Sequence, residues 1–264
     1  MSPTDNAAEA GATANPPWVS LVIPALNEEE NIAPLVAEIA AAMDGKLDYE
    51  ILFVDDGSDD KTAAVIEGLM ADSTAPAAGR IRLVKHERRA GKSAGLLTSA
   101  RAARGTLLVT MDADLQNDPL DVPEMVKTFE AGGGLGKVGV VAGQRRRRRD
   151  TLLKRFSSRT ANRVRRALLK DRTRDTGCGL KLVPRDIFLE LPHFEGMHRF
   201  IPALVARLGY SIELQSVNDR ERVAGVSKYG FWNRLWVGIG DMLTVWWLIR
   251  RYSKPGNSVE VTPE

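Results

Sequence analysis

The first half of the chain repeats a pattern of short apolar runs that alternate with amphipathic segments of helical spacing. The apolar runs cover residues 19–24, 50–54, 80–84 and 106–111, and the helical segments cover 29–43, 61–70 and 91–104. Such alternation is typical of βαβ units, which pack helices on both faces of a mainly parallel sheet. A fifth apolar run, 138–142, follows a glycine-rich turn. We therefore predict an α/β fold with a Rossmann-like, mainly parallel sheet flanked by helices.

Acidic side chains follow three of these predicted strands. Glu28 follows the first strand, Asp55 and Asp56 follow the second, and Asp112 and Asp114 follow the fourth. In open α/β sheets, ligands bind beyond the carboxyl ends of the strands. Because parallel strands end at the same edge, we expect these acids to converge there. Their convergence favours a functional site over a set of solvated loop acids.

The segment Asp112-Ala113-Asp114, with Gln116 close behind it, supplies hard oxygen ligands. Mg²⁺ and Mn²⁺ take such oxygens and retain waters or share substrate phosphates. The predicted metal ligands are therefore Asp112, Asp114 and Gln116.

The segment Ala90-Gly91-Lys92-Ser93 ends like a phosphate-binding P-loop but does not match one. The P-loop pattern requires a glycine at position 86, which is His86 here. The G-x-G-x-x-G pattern of dinucleotide-binding proteins is also absent after the first predicted strand. Both observations disfavour the corresponding classes of nucleotide-binding protein, although Gly91 still permits a close approach of the backbone to a ligand.

Basic residues are unevenly distributed, although the formal net charge is only +3. Residues 145–149 are five consecutive arginines, and further arginines follow at 155, 159, 163, 165 and 166. Such a density favours a polyanionic partner over a solvated helix face. The basic, amphipathic segment 152–170 is a candidate for binding an anionic membrane surface.

Three motifs stand in order at the predicted strand ends: VIPALNEEEN at 22–31, VDDGSDDKT at 54–62 and MDADLQ at 111–116. They resemble the motifs of the family 2 glycosyltransferases with a GT-A fold. Within that family, the chain is similar to the dolichyl-phosphate mannose synthase group, which includes bacterial polyprenyl-phosphate glycosyltransferases. The similarity continues through DTGCG at 175–179, HRFIP at 198–202 and RVAGVSKYG at 222–230, and it extends over about residues 18–250.

The resemblance implies a role for each matching position. The implied nucleotide-sugar-binding residues are Pro24, Leu26, Glu28, Val54, Asp56, Asp112, Ala113, Arg222 and Lys228. The implied metal and diphosphate site is Asp112, Asp114 and Gln116. Arg145 matches the arginine after the fifth strand, and Arg155 falls near the arginine that meets the acceptor phosphate. Asp114, Arg145 and Arg155 are thereby the implied catalytic residues.

The resemblance also implies the reaction, which is transfer of a sugar from a UDP- or GDP-linked donor to an undecaprenyl- or dolichyl-type phosphate with inversion. The implied cofactor is Mg²⁺ or Mn²⁺, and the implied location is the cytoplasmic face of the membrane. A phosphate monoester is largely dianionic at pH 7, so this acceptor needs cations and no dedicated general base. A saccharide hydroxyl acceptor is the alternative within the same fold. An arginine-rich nucleic-acid-binding protein is the alternative outside it, although the strand-end acids would repel a polyanion.

The remaining segments complete the expected organisation of the chain. Residues 1–17 have little to bury and no apolar signal core, so we predict a disordered tail. A GT-A catalytic domain then covers 18–230, and 253–264 is a flexible tail. The tryptophan-rich segment 231–252 is either an interfacial helix or a helix that packs on the core or on a second subunit. No run reaches the roughly 20 apolar residues that span a bilayer, and the single cysteine, Cys178, is expected in the core.

Overall fold

The protein forms one seven-stranded sheet with helices on both faces. The computed structural model describes residues 16–145, 168, 169, 171, 173, 175–220 and 231–253, and for 231–237 and 239 the description is of the backbone. The strands are β1 (Val19–Ala25), β2 (Tyr49–Asp55), β3 (Ile81–Lys85), β4 (Leu107–Thr110), β5 (Val138–Arg145), β6 (Lys181–Pro184) and β7 (Ser211–Val217). The helices are α1 (Glu29–Met43), α2 (Thr62–Ala71), α3 (Lys92–Ala102), α4 (Asp121–Ala131), α5 (Arg185–Glu190), α6 (Ile201–Leu208) and α7 (Phe231–Arg250).

The strand order is β3-β2-β1-β4-β6-β5-β7. Strand β6 is antiparallel to both of its neighbours, and the other described pairs are parallel. Six strands therefore run in one direction, which confirms the predicted mainly parallel sheet. Their carboxyl ends lie at one edge, where β1 is flanked by β2 and β4.

Each face of the sheet is covered by its own apolar cluster. Helix α1 buries Ile32, Leu35, Val36 and Ile39, a set at the spacing of one helical face, against the first cluster together with α4. Helices α3, α5, α6 and α7 cover the second cluster on the opposite face. Because both faces are covered, the central strands β1, β2 and β4 are buried except at Pro24, and their sequences are mostly apolar.

The predicted elements of the first half match the observed ones closely. Helix α1 has the predicted bounds, 29–43, and the other predicted strands and helices differ by only a few residues at their ends. Strands β6 and β7 and helices α4, α5 and α6 were not predicted. Of the predicted basic helix 152–170, only Leu168 and Leu169 belong to the described residues. The arginines from 146 to 166 lie outside the described residues.

Helix α7 packs one side against the body of the protein. Val245 is fully buried in the second cluster, and Met242, Trp246 and Ile249 pack against that cluster. Leu243 and Trp247, one turn apart, face outward with 52% and 53% of their surface exposed. Among the described residues, no helix is long and apolar enough to span a bilayer.

Candidate active site

The turns that follow β1 and β2 are joined to each other by hydrogen bonds. The amide of Asn27 donates to Ser58 Oγ at 3.0 Å, and the amide of Glu28 donates to Thr62 Oγ1 at 2.8 Å. The side chain of Glu28 in turn accepts a hydrogen bond from Asn31 Nδ2 at 2.6 Å. The two turns therefore form one unit at the carboxyl edge of the sheet, close to the implied nucleotide-binding positions on β1 and β2.

Asp56 anchors the loop that connects β3 to α3. Its two carboxylate oxygens accept hydrogen bonds from the amides of Ala90 and Gly91, each at 2.8 Å, and Oδ1 also lies 2.8 Å from His86 Nδ1. Gly57 supports the same contact, because its backbone has φ +74° and an added Cβ would lie 2.8 Å from the amide nitrogen of Arg89. Asp56, an implied nucleotide-binding residue, therefore also fixes the start of α3.

Lys92, the first residue of α3, carries this link to the predicted metal site. Its ammonium group donates a hydrogen bond to Asp112 and forms an ion pair with it. The segment Ala90–Lys92 thus connects Asp56, after β2, to Asp112, after β4. The sequence interpretation excluded a P-loop at this segment and assigned Lys92 no role, although a lysine directly after a strand-end loop was a usable signal.

The three predicted metal ligands lie in one tight turn after β4. The amide of Asp112 donates to Asn117 Oδ1 at 3.0 Å, and the amide of Gln116 donates to Asp114 Oδ1 at 3.2 Å. Leu115, between the predicted ligands Asp114 and Gln116, has the left-handed φ of 61°. Asp114 is buried, whereas Asp112 and Gln116 are half-buried. The turn therefore presents two carboxylates and an amide oxygen within five residues.

Cationic and polar groups from three other elements surround Asp112. Burial favours its neutral form, but the nearby ammonium groups of Lys92 and Lys181 lower the pKa of Asp112 below its usual value. Lys181, at the start of β6, is buried, and burial lowers its own pKa to about 8. Asp112 is consequently an ionised carboxylate at neutral pH.

His198 lies in the short 3-10 turn Met197–Arg199 on the same side of the site. Burial and the charges of Lys92 and Lys181 lower the pKa of His198 to about 2, so its ring is neutral at pH 7. Ser93 Oγ accepts the amide proton of Gly196 at 3.1 Å and lies 3.0 Å from His198 Nδ1. The Ser93 hydroxyl therefore links the backbone at Gly196 to the neutral ring of His198.

Arg145, at the end of β5, is held by acidic side chains. Its Nε and Nη2 donate to the two carboxylate oxygens of Asp175 at 2.5 and 2.9 Å, and Nη1 lies 3.6 Å from Asp219. The hydrogen bonds to Asp175 raise the pKa of Arg145 above its usual value. This implied catalytic arginine therefore joins the 175–179 segment to the chain that follows β7.

The chain after β7 docks on the turn that carries the predicted metal ligands. The amide of Arg220 donates to the carbonyl oxygen of Gln116 at 3.1 Å, and Asn117 and Asp219 form an antiparallel bridge. The guanidinium of Arg220 bonds Glu38 at 2.5 Å and Asp118 at 2.8 Å. Position 220 is thus fixed beside the metal-ligand turn.

The structure brings most of the predicted site residues to one edge of the sheet. They are Pro24, Leu26, Glu28, Val54, Asp56, Asp112, Ala113, Asp114, Gln116 and Arg145. Arg155, Arg222 and Lys228 lie outside the described residues. The sequence interpretation missed Lys92, Lys181 and His198, which come from α3, β6 and the 3-10 turn. In the described part of the chain, no group of three or more His, Cys, Asp or Glu side chains is arranged to hold a metal ion by itself.

The match to a family model decides which class of protein carries this site. Residues 20–191 match the model described as glycosyl transferase family 2. The chain belongs to this family. The matched region begins in β1 and includes the strand-end acids, the turn with the predicted metal ligands, and Lys181. The chain is accordingly a glycosyltransferase, and its sheet is that of the GT-A fold.

Two curated relatives of this glycosyltransferase are similar over most of its length. The dodecaprenyl-phosphate galacturonate synthase of Rhizobium johnstonii is 36% identical over 243 residues, which cover 90% of this chain and 69% of the relative. The undecaprenyl-phosphate 4-deoxy-4-formamido-L-arabinose transferase of Shewanella sediminis is 34% identical over 218 residues, which cover 82% of this chain and 63% of the relative. The chain thus spans about two thirds of the length of these relatives.

Solved structures share the fold at lower sequence identity. Glucosyl-3-phosphoglycerate synthase from Mycobacterium tuberculosis, in complex with Mn²⁺, UDP and phosphoglyceric acid, superimposes with a TM-score of 0.65 at 23% identity. The match covers 91% of this chain and 81% of that one. The same enzyme has also been solved with Mg²⁺ and UDP, at a TM-score of 0.63.

Proposed function

We propose that this glycosyltransferase moves a sugar from a nucleoside diphosphate donor to a polyprenyl phosphate, with inversion at the anomeric carbon. The observation that carries the proposal is the metal-ligand turn Asp112–Gln116 surrounded by the cations Lys92 and Lys181. The two named relatives support the acceptor class, because both names specify a polyprenyl phosphate. Family membership supports a transferase over the nucleic-acid-binding alternative.

The donor nucleotide is assigned to the unit formed by the turns after β1 and β2. Pro24, Leu26 and Glu28 come from the first turn and its strand, and Val54 and Asp56 come from the second. Glu28 and Leu26 are half-buried, so both retain surface toward solvent at the carboxyl edge. Asp56 lies at the proposed nucleotide site and also orients the Ala90 and Gly91 amides through its hydrogen bonds to them.

The donor set of the metal-ligand turn fits Mg²⁺ or Mn²⁺. Asp112, Asp114 and Gln116 offer only oxygen atoms, which are the ligands that these cations prefer. Three protein oxygens leave coordination positions for waters and for the donor diphosphate. When bound, the cation would act as a Lewis acid that stabilises negative charge on the leaving diphosphate.

The residues of this chain stabilise the negative charge that develops on the departing diphosphate. The bond between the anomeric carbon and the donor diphosphate breaks, the electron pair leaves with the diphosphate, and an acceptor phosphate oxygen forms the new bond. The Lys92 ammonium, beside Asp112, is in position to stabilise the departing diphosphate. Because the acceptor phosphate is already anionic at pH 7, no general base is required, and attack from the opposite face inverts the configuration.

We propose that the outward side of α7 contacts the membrane in which the acceptor lipid is embedded. Leu243 and Trp247 are apolar, half-exposed and one helical turn apart, and the guanidinium groups of Arg250 and Arg251 lie 4.3 and 5.8 Å from the ring centroids of Trp246 and Trp247. Tryptophan and arginine side by side suit the headgroup zone of an anionic bilayer. The double variant Leu243→Ser/Trp247→Ser should lose sedimentation with phosphatidylglycerol vesicles, whereas Met70→Ser, an exposed apolar residue on α2, should not. Equal sedimentation of both variants would contradict this assignment.

Asp114→Ala tests the reaction itself. The purified protein is incubated with Mn²⁺, a short polyprenyl phosphate and, in turn, UDP-galacturonate, UDP-glucose, UDP-GlcNAc and GDP-mannose. We expect one donor to be consumed by the wild type and a loss of at least about 100-fold in the variant, since a buried oxygen ligand is removed. Asp186→Ala, which removes an exposed carboxylate on α5, is the control. Transfer by Asp114→Ala at the wild-type rate would refute the proposal. Transfer by the wild type only to sugar hydroxyls would show that the acceptor is a saccharide and not a polyprenyl phosphate.

A further inference from the structure

The turn formed by residues 176–180 brings Gly179 against the carboxylate of Asp112. A Cβ added to Gly179 would lie 2.8 Å from Asp112 Cγ and 3.0 Å from Asn117 Oδ1. Non-bonded carbon atoms normally stay about 3.5–4.0 Å apart, so a side chain fits at this position only if the Asp112 carboxylate moves. The φ of Gly179 is outside the left-handed region, so the backbone itself does not require glycine. The requirement comes from the neighbouring carboxylate.

The same turn is held in place by two residues of the strand pair β4–β6. Thr110 Oγ1 donates a hydrogen bond to the carbonyl oxygen of Gly179 at 2.6 Å, and the ammonium of Lys181 donates to the carbonyl oxygen of Cys178. Thr110 and Lys181 are opposite each other in the antiparallel register, and both are buried. Strand β4 thus leads into Asp112, and its partner strand β6 begins at the surface on which Asp112 rests.

We propose that Gly179 is a positioning residue for the metal site. Thr110 and Lys181 hold Gly179 so close to Asp112 that the Asp112 carboxylate is confined to one position. A methyl group at position 179 would displace this carboxylate from the turn shared with Asp114 and Gln116. This inference rests on the proposed function, because it assumes a metal ion at Asp112. Residues that orient metal ligands typically change metal affinity about 10- to 100-fold when they are replaced.

Direct measurement of Mn²⁺ binding tests the inference without relying on turnover. Wild type, Gly179→Ala and Gly177→Ala are titrated with Mn²⁺ in the presence of UDP, and free Mn²⁺ is read by electron paramagnetic resonance. Gly177→Ala is the matched control in the same turn, because its added Cβ would meet Arg145 Nη2 at 3.5 Å and Asp175 Oδ1 at 3.7 Å, which are ordinary contacts. We expect at least tenfold weaker binding for Gly179→Ala and unchanged binding for Gly177→Ala.

A second pair of variants keeps the test decisive if Gly179→Ala does not fold. Thr110→Val removes the hydrogen bond to Gly179 at nearly constant volume, and Thr110→Ser retains the hydroxyl. We expect Thr110→Val to weaken Mn²⁺ binding several-fold and Thr110→Ser to restore it, with the urea midpoint of each variant recorded separately. Wild-type affinity in a folded Gly179→Ala, or in Thr110→Val, would overturn the role of this turn alone. Absence of Mn²⁺ binding by the wild type with UDP would overturn the proposed metal site, and the inference with it.

Discussion

Replacing Asp56 by asparagine should destabilise the protein before any nucleotide binds. The carboxylate accepts hydrogen bonds at 2.8 Å from the amides of Ala90 and Gly91, one on each oxygen, and contacts His86 on Oδ1. An asparagine keeps one oxygen and turns an NH₂ group toward an N–H donor. A hydrogen bond to a charged group contributes about 1.5–3 kcal/mol, and the opposed donors add to the loss. We therefore expect the free energy of unfolding of Asp56→Asn to fall by about 2–4 kcal/mol.

Urea unfolding of the ligand-free protein measures this effect. The midpoint should move to lower urea while the slope stays constant, because the variant changes stability and not the surface exposed on unfolding. Asp48→Asn, which changes an exposed carboxylate before the start of β2, should stay within about 0.5 kcal/mol of the wild type. If Asp56→Asn unfolds at the wild-type midpoint and only loses affinity for UDP, Asp56 contacts the nucleotide and our account of its role as a loop anchor is wrong.

Two further predictions concern charged groups at opposite ends of the sheet. Glu50 is buried, and although burial works against it, hydrogen bonds from Ser20, the Arg104 amide and Arg82 lower its pKa. Because this pKa is lower in the folded state, ionised Glu50 stabilises the protein above the unfolded pKa of about 4.3, and this contribution is lost as the pH falls through the folded pKa. Glu50→Gln should therefore flatten the decline of the urea midpoint between pH 5 and 3. Parallel declines in the two proteins would contradict this. Lys92→Met should lower kcat/KM about 10- to 100-fold. Its free energy of unfolding should change by less than about 1 kcal/mol, because the ion pair between Lys92 and Asp112 is partly exposed. Replacing the exposed Lys127 by methionine should leave kcat/KM unchanged.

The sequence was sufficient for the part of the fold that depends on local periodicity. Helix α1 was predicted with its observed bounds because its apolar residues recur at one helical spacing and acidic residues stand at its start. The convergence of Glu28, Asp56 and Asp112 was predictable as well, since it needs only parallel strands that end at one edge. The register confirms the geometry, because Ala25 at the end of β1 lies opposite Asp55 at the end of β2.

The missed elements are those whose position depends on distant partners. Strand β6 has only four residues, and nothing in their apolar pattern indicates that they insert antiparallel between β4 and β5. Lys181 and Gly179 come to Asp112 only through that insertion. His198 likewise reaches the site because Ser93 holds the 3-10 turn against α3, a contact between residues more than 100 positions apart. A pattern within one segment carries no record of such pairings.

The charges of the completed site explain why metal and diphosphate should bind together. The parallel half of the sheet supplies the acids Asp112 and Asp114, while α3 and β6 supply the cations Lys92 and Lys181, and His198 is neutral. A diphosphate alone would be repelled by the two carboxylates, and a metal ion alone would be repelled by the two ammonium groups. Each ligand offsets the charge that opposes the other, and by linkage the gain in affinity is the same in both directions. UDP and Mn²⁺ should therefore each tighten the binding of the other, which is the reason that nucleotide is present whenever metal binding to this site is measured.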